Sequence, residues 1–139
     1  MMRVVADTNI VVSAFLWGGV PREILNAAHR QAITLYTSAA LIAEPEDVLA
    51  REKFAKRMSQ VGSSVAEMVG DYLALAHMVL PTDHPRVVRD PDDDQVIACA
   101  LAAQGNIIVS RDADLLSLTS YQGILMLSAA ETLRRIATA

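Results

Sequence analysis

The chain has 139 residues, a length suited to one domain spanning 1–139 that buries most of its core without disulfides or structural metal. Residues are 53% hydrophobic but only 4% aromatic, so the core must be built from Ala, Val, Leu and Ile, which favours close helix-on-sheet packing. A net charge of −4 argues against broad electrostatic attraction to nucleic acid, and the single cysteine, Cys99, excludes a disulfide framework and a Cys-based zinc site.

Residues 3–7, RVVAD, are a short β-branched run predicted to form a buried first strand with Asp7 at its C-terminal end. SAFLWGGVP then turns the chain through Gly18 and Gly19, and Pro21 opens a helix running through REILNAAHRQA. ITLYTS (33–38) is a second strand. From Ala39 to about Arg57, Leu41, Ile42, Val48, Leu49 and Phe54 suit an amphipathic helix that Pro45 interrupts. GSS (62–64) starts another, with Val65, Met68, Val69, Tyr72, Leu73 and Leu75 at helical spacing. After a loop rich in proline and charge, LPTDHPRVVRDP, a helix runs from about Asp94 to Gln104, and Gly105 ends it. NIIVS (106–110) and ILMLS (124–128) are strands, and residues 129–137 make a short final helix. This alternation predicts an α/β fold, a three-layer α/β/α sandwich with a mainly parallel central sheet.

Asp7 interrupts the N-terminal apolar run before it reaches signal-peptide length, and no later run approaches a membrane span. A cytoplasmic protein without membrane attachment is expected. Two basic patches, Arg51–Lys53–Lys56–Arg57 and Arg86–Arg89, read most simply as solvated surface.

Four aspartates fall within DPDDD (90–94). Acids ahead of an apolar helix cap its free N–H groups and complement its dipole, but capping needs one or two carboxylates, not four. In open α/β sheets the binding crevice lies beyond the carboxyl ends of the strands. Asp7 and Asp112 fall there with Asp114 close behind, and a right-handed crossover brings the start of the helix after DPDDD to the same edge. Converging carboxylates repel one another, and relief comes from protonation or a bound cation. An oxygen-only donor set selects a hard ion, Mg²⁺ or Mn²⁺. His29, His77 and His84 have no metal-ligand spacing with one another.

Three segments, ADTNIVVSAFLWGG, SAALIAEPEDVL and RDPDDDQVIACALAAQGNIIVSRDADLL, together resemble the PIN domain, most of all its toxin-like branch, over nearly the whole chain. The resemblance implies a metal-dependent nuclease whose acids are Asp7, Glu44, Asp93 and Asp112, with Asp7, Asp93 and Asp112 binding Mg²⁺ or Mn²⁺ directly. Thr8, Asn9, Asp90 and Asp114 are possible supporting residues, Asp92 and Asp94 being left as helix cap and solvent-facing charge. It further implies cleavage of single-stranded RNA by metal-assisted hydrolysis, an antitoxin protein as partner, and a homodimer. With Trp17 the lone tryptophan, stacked bases are expected to be a minor term in sequence reading.

Two other readings compete. Phosphoryl-transfer enzymes with a nucleophilic aspartate after the first strand generally carry a second acid two residues on, where this chain has Asn9. A catalytically weak or inactive PIN-like module that binds RNA or protein is favoured by Pro45, beside Glu44, where related sequences carry a helix-compatible apolar residue. A proline there implies either a kink or a helix starting anew with Pro45 in its first turn, and either could swing Glu44 relative to Asp7.

Overall fold

The computed structural model describes residues 1–138. Six strands, β1 (Met2–Ala6), β2 (Ile33–Thr37), β3 (His77–Met78), β4 (Ile107–Val109), β5 (Ser120–Tyr121) and β6 (Ile124–Leu127), form one sheet in the order β3-β2-β1-β4-β6-β5. All neighbours run parallel except β5, which pairs antiparallel with β6. The central strands are continuous apolar runs because both of their faces are covered. Val4, level with Leu35 and Ile107, packs with residues of α1 (Thr8–Leu16), α2 (Gly19–His29) and α5 (Val65–Leu75). Val5, level with Ile108, faces the other way, against α3 (Ala39–Leu49), α6 (Pro91–Ala102) and α7 (Ala113–Leu118). Helix α8 (Ala129–Thr138) joins the first layer through Ala129, so the fold is the expected three-layer α/β/α sandwich.

A smaller apolar cluster of Val12, Leu16, Leu49, Met58 and Met68 ties α1, α3 and α5 to α4 (Ala55–Val61). It explains the main departure from the sequence reading. Residues 8–16 form a helix rather than the approach to a turn. Ile10, Val11, Val12, Ala14 and Leu16 are all buried, since other helices surround α1, and a helix apolar on nearly every side shows no amphipathic period.

Other boundaries shift for local reasons. The helix that begins at Ala39 ends at Leu49, and the chain passes through a single 3₁₀ turn at Glu52–Phe54 before α4. Pro45 is the seventh residue of α3, which neither stops nor restarts there, so the first-turn alternative is corrected. Helix α6 begins at Pro91 instead of Asp94, because proline is tolerated at the first helical position and Asp90 caps it. At the other end Gln104, with φ of 52°, takes the left-handed conformation assigned to Gly105. The two-residue strands β3 and β5 and the six-residue helix α7 were not expected.

The chain leaves β1 towards β2 on one side, while β4 lies on the other. Strand order therefore reverses between β1 and β4. Their C-terminal ends flank the switch point, where a crevice forms in sheets of this type.

Candidate metal centre

Asp7 follows β1 directly and caps α1. Its Oδ1 accepts the Thr8 amide at 2.7 Å and its Oδ2 accepts the Ser110 hydroxyl at 2.7 Å. The side chain is 6% exposed. Burial raises its pKa; the Ser110 and Thr8 hydrogen bonds oppose the rise, and the charges of Asp112 and Asp90 add to it.

On the neighbouring strand end, the Ser110 oxygen also accepts the Asp112 amide at 2.9 Å. Asp112 caps α7, its Oδ1 accepting the amides of Asp114 and Leu115 at 2.9 and 3.2 Å. Asp90 caps α6 by accepting the Asp92 amide at 2.9 Å. Three helix starts thus converge on one edge of the sheet, and their unpaired N–H groups make it favourable for negative charge.

Asp93, in the first turn of α6, is 6% exposed, and its Oδ2 is buried without a hydrogen-bond partner. One carboxylate oxygen each from Asp93, Asp112 and Asp114 lies within 4.8 Å of the other two. Burial, then the charges of Asp112, Asp7 and Asp90, push the Asp93 carboxyl up to about 7. The only ion pair reaching these acids among the described residues is Arg89 on Asp114, at 3.3 Å on the surface. A buried carboxylate oxygen lacking a donor, facing two further carboxylates, fits a bound cation. The donor set is all oxygen, which fits Mg²⁺ or Mn²⁺.

Glu44 is half-buried on α3. Its pKa is raised by burial and by Asp92, with smaller contributions from Asp7 and Asp90. The Thr8 hydroxyl faces Glu44 closely enough to favour its charged form but falls short of a hydrogen bond, leaving the buried oxygen unpartnered. Glu44 therefore belongs to the electrostatic unit of the acids without joining the tight Asp93–Asp112–Asp114 group.

The structure places the remaining residues as follows. Asn9 is exposed, with no side-chain hydrogen bond among the described residues. Asp94 is not solvent-facing charge: its Oδ1 accepts the amides of Val87 and Val88 at 2.8 and 2.9 Å, pinning the preceding loop to α6. The cap of α6 is Asp90, not Asp92. Ser110, wholly buried and bridging two acids, was missed by sequence reasoning. Its signal was the polar residue closing NIIVS two positions before Asp112. Of the three acids expected to bind metal, Asp93 and Asp112 are brought together with Asp114, and Asp7 is joined to Asp112 through Ser110.

A parallel sheet with buried carboxylates at its switch point defines an α/β protein organised around an acidic centre. The PIN domain family profile matches residues 3–114, from β1 to the last acid of the cluster, and the chain belongs to that family. Its fold is similar to that of a chain in the crystal structure of VapBC2 from Rickettsia felis bound to a DNA fragment from their promoter. The TM-score is 0.61 over 90% of this chain and 97% of that one, at 13% sequence identity. No curated protein matches the chain.

Proposed function

We propose that this protein is a metal-dependent endoribonuclease, one domain over residues 1–139, that cleaves single-stranded RNA. The observation that carries the reading is the buried, unpartnered Asp93 oxygen within a group completed by Asp112 and Asp114. Asp93 and Asp112, with Asp7 and Asp114 beside them, would hold Mg²⁺ or Mn²⁺. When bound, the ion neutralises phosphate charge and lowers the pKa of water.

The chain's own residues do the positioning. Ser110 and the Thr8 amide hold Asp7 in one orientation and favour its ionised form against the effect of burial. Glu44, with its pKa raised by burial, is a better proton acceptor than a solvated glutamate and would take a proton from the water attacking phosphorus. The phosphorus–oxygen bond on the opposite side breaks, and the leaving oxygen takes up a proton from solvent. No protein nucleophile is needed.

Family membership and the likeness to a chain of VapBC2 support a role as the toxin of a toxin–antitoxin pair with an antitoxin partner; a homodimer is proposed as its working assembly. A cytoplasmic location is proposed with it; no helix among the described residues is long and apolar enough to cross a membrane. Pro45 within α3, one residue from Glu44, favours the second reading, a catalytically weak module.

The test is purified protein incubated with unstructured and structured RNA, with and without chelator. Cleavage of the unstructured RNA that needs Mg²⁺ or Mn²⁺ and is lost in Asp93→Asn is expected. Cleavage that survives both chelation and substitution of the acids overturns the metal reading. Growth arrest on induced expression, relieved by the neighbouring reading frame, tests the toxin role.

A further inference from the structure

Trp17 is the only tryptophan in the chain, and its side chain is 60% exposed where α1 ends. An exposed indole is ordinarily mobile, but this one is held. The Arg57 guanidinium lies 4.6 Å from the ring centroid, and Arg57 Nε donates to the Leu16 carbonyl at 2.6 Å, fixing the cation to the end of the same helix. Arg57 lies on α4, whose Met58 packs against Leu16 in the small apolar cluster. One face of the indole is thus backed by a cation anchored to the core.

The segment that supplies Arg57, residues 51–57, is the most basic seven-residue stretch of the chain. Both lysines of the chain, Lys53 and Lys56, fall with Arg51 and Arg57 within seven residues, in a protein of net charge −4. Between Asp47 and Glu67 the only acid is Glu52. Lys53 and Lys56 are exposed, and neither they nor Arg57 pair with a carboxylate among the described residues. Arg51 alone does so, with Asp47 at 3.4 Å.

We propose that Trp17, backed by Arg57, is a stacking subsite that holds one base of a single-stranded nucleic acid whose backbone follows the basic segment 51–57, which also carries Lys53 and Lys56. The proposal rests on the nuclease reading above. An aromatic face beside unpaired cations meets both requirements of single-strand binding, a platform for a base and positive charge for its phosphates. Charge complementarity selects a polyanion over an apolar peptide. Helix α1 connects the subsite to the acids: Asp7 caps its start and Trp17 its end, so they are separated by about 15 Å along the axis at 1.5 Å per residue. A short oligonucleotide spans that distance, and the subsite would bind the strand away from the scissile bond without reading sequence.

As the lone tryptophan, Trp17 reports on its own occupancy. A 2′-O-methylated, cleavage-resistant oligoribonucleotide is titrated into the full-length protein with Mg²⁺ present, while tryptophan fluorescence and the anisotropy of a labelled copy are followed. Quenching of Trp17 in step with binding is expected, with a Kd weakened about five- to a hundredfold by Trp17→Ala and mostly kept by Trp17→Phe. Lys53→Ala with Lys56→Ala should flatten the salt dependence of binding. Oligonucleotide binding that leaves Trp17 fluorescence and the Trp17→Ala affinity unchanged overturns the subsite, while metal-dependent cleavage by the same preparation leaves the nuclease reading standing. Trp17 emission that shifts with protein concentration alone, with no response to oligonucleotide, makes the patch an interface between copies and also overturns it. Absence of both binding and cleavage is failure of the nuclease reading itself.

Discussion

Ser110 donates its hydroxyl hydrogen to Asp7 at 2.7 Å, and the same oxygen accepts the amide of Asp112 at 2.9 Å, so one wholly buried hydroxyl links the acids that follow β1 and β4. Ser110→Ala leaves a buried carboxylate oxygen and a backbone N–H without that partner. A loss of about 1–3 kcal/mol in stability is expected. Because the hydroxyl favours ionised Asp7, Mn²⁺ affinity should also fall about tenfold or more. Thermal melts and calorimetric Mn²⁺ titration check both, and an unchanged Mn²⁺ affinity would remove Ser110 from the site.

The crowded acids make metal-free stability depend on pH in an unusual sense. Folded Asp93 titrates at about 7, above its ordinary value of 3.8, so between those limits the folded state binds more protons than the unfolded one. Stability in chelator should therefore fall as pH rises from about 4 to about 7, with Asp7 and Glu44, also raised, acting in the same direction. Asp93→Asn should flatten this slope in urea unfolding measured at several pH values. Mn²⁺ should reverse it, since the ion competes with protons for the same oxygens.

Asp7→Asn removes one like charge from the group. The variant is expected to melt no lower than wild type in chelator and to gain less on addition of Mn²⁺. Equal gains in the two proteins would exclude Asp7 as a ligand.

Pro45 leaves the Leu41 carbonyl without its helical donor, at a cost of about 3 kcal/mol for an interior proline. The ring lines a small apolar pocket together with Val11, Phe15, Met68 and Tyr72. Pro45→Ala supplies the N–H and gives up two buried methylenes, for a net gain of about 1 kcal/mol. Higher melting temperature and faster Mn²⁺-dependent cleavage are expected together. A stabler protein with unchanged cleavage would show that the proline does not disturb Glu44.

Arg89 brings a positive charge onto Asp114, one of the three carboxylates of the acidic group. Both side chains are substantially exposed, so Arg89→Gln should alter stability by less than about 1 kcal/mol. Mn²⁺ affinity, measured by calorimetry at low salt, should rise. A fall would mean that the arginine organises Asp114 for binding instead of competing for it.

The strands of the parallel core were legible because β-branched runs such as RVVAD and NIIVS have few other uses. Asp7 and Asp112 were legible because the first ends such a run and the second follows one by two residues. Helix α1 was not, since burial on nearly all sides erased the polar stripe that marks a helix. The strands His77–Met78 and Ser120–Tyr121 take their conformation from a neighbouring strand and carry no pattern of their own. In DPDDD the spacing showed an excess of acid but not its division of labour. Pro91 set the helix phase, turning Asp93 inward and leaving Asp94 to the amides of Val87 and Val88.

Asp7 and Asp112 each begin a helix with the oxygen that accepts a backbone amide, and that duty needs no charge. Asparagine is as good a helix cap as aspartate. An amide in place of either acid is therefore a near-isosteric exchange that keeps the architecture of the sheet edge while disarming its chemistry, whereas alanine would dismantle both. On the proposed nuclease reading, folded but silent copies of this protein lie one substitution away, suited to capturing a strand or a binding partner intact.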